Sequence, residues 1–209
     1  MKRRNIINDL IVKLNFENYL ELGIRTKETF NSVICKNRMS VDCENKWEPT
    51  YCYTIDDFFK LLDGGFLDID KNYKWDLIFI DACHKAEYVY RDTLNSVRHL
   101  NDKGILVLHD VFPVKWEFTI EDDQNGTAWK VVPYILKYHP ELNVCVIPER
   151  NGGCGIVTKN LGKLRENCLD KDFNVFYDFY LMDVNRKKSQ NIIVYSDLID
   201  WIKQPYYNK

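Results

Sequence analysis

Two short apolar runs organise this chain, Trp75-Asp76-Leu77-Ile78-Phe79-Ile80 and Gly104-Ile105-Leu106-Val107-Leu108. Neither alternates like a half-exposed strand, and both are too short for a buried helix, which predicts strands covered on both faces. Each run gives way to an acid and a histidine: Asp81 with His84, and His109 with Asp110. Helical spacing of Ile6, Ile7, Leu10, Ile11 and Leu14 predicts a helix over 5–14, followed by a strand at 18–23, a helix at 27–36 and a short strand at 40–42. Thr54 is a predicted N-cap for an amphipathic helix reaching Leu62, with Asp56 and Asp57 in its first turn and Gly64-Gly65 as its stop. Val89, Leu94, Val97 and Leu100 predict a helix over 87–100. A further helix at 127–138 contains Pro133, which should kink it or mark its real start. Strands at 142–147 and 155–158 follow, joined through Asn151-Gly152-Gly153.

Strands alternating with helices imply right-handed crossovers and a doubly wound α/β fold, mostly parallel, with closing antiparallel strands. In such sheets ligands bind outside the carboxyl ends of the strands, so the two acid–histidine ends locate a site. Beyond residue 159 the chain becomes aromatic and charged. Phe173, Phe176, Tyr177, Phe179 and Tyr180 fall at helical spacing, and a last amphipathic helix is predicted over 191–203 around Ile193, Leu198 and Trp201. We therefore read a domain over 1–159 and a C-terminal helical extension over 160–209, packed on that domain or on a partner, including a second copy.

Composition narrows the partners. A chain of 209 residues with net charge -2 offers no clustered basic surface, so no nucleic-acid partner is expected. No signal-type apolar run follows the basic Lys2-Arg3-Arg4, and no segment approaches the roughly 20 apolar residues needed to span a bilayer. A cytoplasmic protein without a membrane partner is expected. Seven cysteines without a CxxC pair read as reduced thiols, not zinc ligands.

The first strand closes as Tyr19-Leu-Glu-Leu-Gly-Ile-Arg-Thr26, where Gly23 permits a tight turn and close ligand approach. The second and third glycines of a dinucleotide fingerprint would fall on Arg25 and Glu28, so a pyrophosphate grip is poorly supported. Asp42, closing the second strand, is the usual partner for a ribose diol. Cys83 stands within the same region, but His84 is the only activating group near it in sequence.

These features together resemble a class I S-adenosylmethionine-dependent methyltransferase with its Rossmann-like, seven-stranded sheet. Tyr19–Thr26, Val41-Asp42, Thr54–Phe59, Asp76–His84, Gly104–Asp110 and Asn125–Lys130 more narrowly resemble the branch grouped with macrocin-type O-methyltransferases, often linked to glycan or natural-product tailoring. The matches run in order over residues 18–158. The resemblance implies S-adenosylmethionine as cofactor, with Glu21 and Gly23 beside its methionine part, Thr26 shaping the turn and Asp42 on the ribose. It also implies Asp57 and Phe58 near the adenine and Asp81 at the reaction mouth. Lys27 departs from the pattern, where glycine is frequent.

O-methylation needs an inline approach and removal of a hydroxyl proton, a role suited to histidine. His84, in an Asp-x-x-His arrangement with Asp81, is the leading base, with His109 as competitor. Relatives bind magnesium at these two strand ends, so Asp81, His109 and Asp110 form a candidate site for a divalent metal. Magnesium prefers oxygen ligands, whereas a histidine suits manganese, iron or zinc. Neighbours on an extended strand face opposite sides, so His109 and Asp110 share an ion only if the strand has ended. The loop 109–126, with Trp116, Phe118 and Glu121-Asp122-Asp123, reads as a lid or substrate wall. The expected acceptor is a hydroxyl of a small molecule or glycan. The rival readings are a metal-dependent oxidative tailoring enzyme of the same fold and an inactive methyltransferase-like binding subunit.

Overall fold

The computed structural model describes residues 2–120, 124–149, 152–160 and 179–203. The acidic run 121–123, Asn151 and the aromatic residues Phe173, Phe176 and Tyr177 lie outside the described residues. One seven-stranded sheet runs through the molecule, built from β1 (Asn18–Leu22), β2 (Asn37–Asp42), β3 (Tyr51–Cys52), β4 (Trp75–Ile80), β5 (Leu100–His109), β6 (Leu142–Ile147) and β7 (Cys154–Lys159). Their spatial order is β3-β2-β1-β4-β5-β7-β6. The first five strands pair in parallel, and β7 lies antiparallel to both β5 and β6. This is the doubly wound α/β architecture.

Strand parity explains the unbroken apolar runs. Leu20, Leu22, Ile78, Ile80, Leu106 and Leu108 point to one face, where they pack with α3 (Ile55–Asp63), α4 (Ala86–Arg98) and α5 (Val131–Tyr138). Tyr19, Leu77, Phe79, Ile105 and Val107 point to the other, against α1 (Arg3–Leu14) and α8 (Leu198–Ile202). Both faces are buried, so Leu77–Ile80 and Ile105–Leu108 run without a polar residue. Glu21 within β1, and Asp81 and His109 where β4 and β5 finish, keep the odd-numbered, α1-facing parity. They therefore converge at the carboxyl edge on the side where α1 begins.

Several expected elements take different bounds. The helix expected over 27–36 is the single short α2 (Glu28–Ser32), after which Val33 is extended. Leu100 belongs to β5, not to the preceding helix, and makes a separate pairing with Trp75 across a register shift. β3, only two residues long, escapes the pattern because two residues carry no period. Pro133 is the third residue of α5, within the first turn, where its missing N–H costs no helical bond. Thr54 does cap α3, its hydroxyl accepting from Asp57 N at 3.2 Å. The C-terminal stretch contributes α6 (Phe179–Val184), α7 (Arg186–Gln190) and α8, while Ile192 bridges to Val146 of β6. The helix expected over 191–203 is thus confined to its second half. Among the described residues no helix is long and apolar enough to cross a membrane.

Candidate active site

Two clefts open at the carboxyl edge of the sheet and share Gly23, Arg25, Asp81 and Ala82. The first, about 330 Å³, is also lined by Val41, Asp42, Thr54, Tyr88 and Asp92. The second, about 480 Å³, is lined by Arg3, Glu21, Thr26, His84, His109 and Asp110 among others.

Gly23 makes the shared wall possible. Its φ is +85°, and a Cβ there would lie 2.5 Å from the Asp81 carbonyl oxygen, so no other residue fits without displacing β4. The turn that follows is held by Asp42, whose Oδ2 accepts from the Ile24 and Arg25 amides at 2.9 and 3.1 Å. Lys27, standing where a glycine was expected, adopts a left-handed φ of +58°. The turn keeps its shape at some backbone strain, and the Lys27 ammonium pairs with Glu48 at 3.2 Å.

In the second cleft the charges interlock. His84 Nε2 lies 3.1 Å from Asp110 Oδ2 and 3.8 Å from Asp81 Oδ1. His109 Nδ1 lies 2.9 Å from Asp110 Oδ2 and 3.2 Å from Asp81 Oδ1. Its other nitrogen faces Glu149 and the Arg3 guanidinium, each at 3.4 Å. Arg3 also reaches Asp81 at 3.4 Å and Thr29 at 3.0 Å. β5 ends at His109, and Asp110 has φ +61°, so the chain turns and brings both side chains to one side. The condition set by strand geometry for their meeting is satisfied.

These contacts separate the two histidines. Burial disfavours a charged His109 ring, but Asp81, Asp110 and Glu149 outweigh it and hold its pKa well above the usual 6.5. Among the described residues the cluster able to hold an ion is Asp81, His84 and Asp110, with His84 standing where His109 was expected. The His84 pKa is also raised, by Asp81 and Asp110 against the cost of burial, though less. Its Nδ1 is buried without a partner. Burial pushes Asp81 up, yet His109, His84 and Arg3 hold it well below the usual carboxylate range.

Glu21 is buried and accepts from the Tyr19 hydroxyl at 2.6 Å. Burial, with repulsion from Asp81, pushes its carboxyl up to about 8 against the opposing Tyr19 and Arg3. Two expected residues lie elsewhere. Phe58 is fully buried against Tyr51, Phe59 and Trp75, on the core-facing side of α3, so it cannot approach an adenine. Asp57 is spent on the helix cap with Thr54 and on Lys60. Sequence reasoning missed Arg3, Glu149 and Asp92. Arg3 reads as part of a basic N-terminus, Glu149 follows a β strand far from the motifs, and Asp92 sits in an ordinary helix pattern.

Residues 31–111 match the model of a family described as a methyltransferase domain. No curated protein matches the chain. Among solved structures, the chain is similar to the O-methyltransferase from Bacillus cereus in complex with S-adenosylhomocysteine (SAH), with 11% identity, TM-score 0.54 and coverage of 75% of this chain and 80% of that one. It is likewise similar to the O-methyltransferase TomG from Streptomyces achromogenes, in complex with S-adenosylmethionine and involved in tomaymycin synthesis (12% identity, TM-score 0.54, 75% and 79% coverage). A third likeness is to the SAH-bound Podospora anserina methyltransferase PaMTH1 (13% identity, TM-score 0.52, 75% and 77% coverage). At these identities the likeness establishes the fold.

Proposed function

We propose that the protein is an S-adenosylmethionine-dependent O-methyltransferase whose acceptor is a hydroxyl of a small molecule, of the sugar or glycoside class. One observation carries this reading: Gly23 and Asp81 wall two adjoining clefts, one holding Asp42 and the other holding His84. The family match and the methyltransferases of the same fold support it. The first cleft suits the adenosyl part of the donor, with Asp42 accepting from the ribose hydroxyls. Glu21 suits the donor's ammonium. The bound donor supplies an electrophilic methyl group on a sulfonium and leaves as a thioether.

The chain's own part is to orient and to take a proton. His84, in the second cleft, accepts the acceptor's hydroxyl proton at Nε2 as the oxygen bonds to the methyl carbon. Asp110 at 3.1 Å stabilises the imidazolium that results. Asp81, ionised and fixed by His109 and Arg3, holds the wall between the clefts. Alignment and proton removal together account for the acceleration expected of such a site. Asp81, His84 and Asp110 also fit a divalent cation, with two carboxylates and one imidazole, a set better suited to manganese, iron or zinc than to magnesium. Such an ion would supply Lewis-acid activation of the acceptor oxygen.

The test is a thermal melt with millimolar SAH, followed by an acceptor screen scoring methyl transfer. A raised melting temperature and a methylated sugar are expected. No shift at millimolar ligand overturns the donor assignment, and oxygen consumption without methyl transfer would favour the oxidative rival.

A further inference from the structure

The loop after β5 and the C-terminal extension meet in a third cleft of about 290 Å³, which neither the donor nor the base assignment uses. Trp116 and Thr119 of the 3-10 turn Trp116–Thr119 line it, with Thr127, Trp129, and Phe179 and Tyr180 of α6. The framework around it is tightly held. Trp129 is buried and meets the Phe179 ring edge to face at 6.4 Å, with Met182 of α6 buried beside them. Arg186 lies 5.8 Å from the Phe179 ring centroid and donates to the Pro113 carbonyl at 2.6 Å. Gln190 donates to the Val111 carbonyl at 2.7 Å, so α6 and α7 are tied to the chain just beyond Asp110. Two aromatic residues of the lining remain open, Trp116 at 45% and Tyr180 at 65% exposure.

The cleft adjoins the proposed base. Thr127, in its wall, donates its amide to the His84 carbonyl at 2.8 Å, while its hydroxyl accepts from Ala86 N at 2.9 Å. Gln124, three residues earlier, lines the second cleft, so the segment 124–127 runs from one cleft to the other. Aromatic faces and hydroxyls side by side suit a sugar. The C–H face of a pyranose packs on an aromatic ring, and each of its hydroxyls both donates and accepts. Thr119 Oγ1 donates to the Trp116 carbonyl at 2.6 Å and keeps its lone pairs, whereas the Thr127 hydroxyl, already accepting, keeps its proton. Together they offer an acceptor and a donor, the complement of a sugar diol. A flat apolar group would leave both unused.

We propose that this cleft binds a sugar ring of the acceptor remote from the hydroxyl that is methylated, with Trp116 and Tyr180 as its stacking platform. The proposal rests on the glycoside acceptor of the proposed function. It gives the aromatic extension a part in acceptor choice: an acceptor of two rings engages both this cleft and His84, whereas a single ring engages one of them.

Saturation-transfer NMR of millimolar methyl β-cellobioside, methyl β-lactoside and methyl α-maltoside, with SAH added at saturation, tests it, and phenol is the apolar comparator. Contact with at least one glycoside is expected. Trp116→Ala and Tyr180→Ala should each weaken it by at least about fivefold, and Tyr180→Phe, which keeps the ring, should retain it. Both side chains are exposed, so melting temperature and SAH affinity should stay at wild-type values, which loss of a merely structural contact would not allow. In methyl transfer to a two-ring acceptor the loss should fall on KM rather than kcat. No contact with any of these glycosides, contact that survives both Ala variants, or a cleft that takes phenol and refuses the glycosides overturns the sugar assignment and leaves the donor reading standing. A protein whose melting temperature SAH does not raise removes the methyl-transfer reading, and with it the acceptor role of this cleft.

Discussion

Asp110 folds back onto its own neighbour His109, placing Oδ2 2.9 Å from Nδ1, while Oδ1 accepts from Asn125 Nδ2 at 2.8 Å. The left-handed backbone of Asp110 permits this, and Gly152 leaves the room for it. A Cβ at Gly152 would stand 2.0 Å from Asp110 Oδ1 and 2.4 Å from Asn125 Nδ2, at a φ of +99°. Gly152→Ala should therefore destabilise the protein by about 2–4 kcal/mol and lower turnover, since strain and clash act together. Gly65→Ala is the control. Its φ is +71°, but the added Cβ meets only Lys71 Cδ at 4.0 Å, so a loss of about 1 kcal/mol is expected. Urea unfolding of the two variants makes the comparison. Equal losses would show that the Asp110 turn is not crowded.

Asp42 serves the turn and the proposed ribose site at once. Its Oδ2 already accepts two backbone amides, and Oδ1 accepts from Glu44 N at 2.9 Å, which leaves the carboxylate fixed with one lone pair, on Oδ1, to spare. Asp42→Ala should abolish the SAH-induced rise in melting temperature while the unliganded protein still melts cooperatively. A full shift in the variant would separate Asp42 from the donor.

The central strands were legible in the sequence because Leu77–Ile80 and Ile105–Leu108 are unbroken apolar runs, and the candidate site was legible because polar residues resume where those two runs stop. Asp81 and His109 announced themselves by position, whereas Glu21 came from the family resemblance. The rest lay in contacts that no period encodes. Arg3 matters only because α1 starts above the carboxyl edge, and Glu149 only because β7 returns antiparallel beside β5. The place of His84 rather than His109 in the metal-capable cluster was equally invisible, since it depends on how closely the side chains of Asp81, His84 and Asp110 meet. Phe58 misled because α3 carries Asp57 and Phe58 in succession, and adjacent helical residues point about 100° apart.

His84 as base predicts a loss confined to chemistry. His84→Gln keeps much of the side-chain volume but lacks a neutral-range base, so kcat should fall by about 10²–10⁴-fold. SAH affinity should stay within about twofold, because the donor is assigned to other residues. Washing wild type with a chelator distinguishes the metal role of the same side chain: activity restored by manganese but not by magnesium would assign His84 to the ion. A variant with unchanged kcat would exclude both roles.

Glu21 should couple donor binding to proton release. Its carboxyl is pushed from 4.5 up to about 8, so in the free protein at pH 7 it is mostly protonated. The sign follows from the raised value: this carboxyl favours the fold most fully below pH 4.5, and that contribution is lost as pH rises through about 8. A ligand ammonium favours the ionised form and pulls the value down, so binding at pH 7 should expel up to one proton. Affinity for SAH should accordingly rise from about pH 6 to 8 and level off above. Calorimetry in buffers of different ionisation enthalpy counts the protons directly. Glu21→Gln should bind more weakly and release none, and a variant with undiminished release would place the proton on another group.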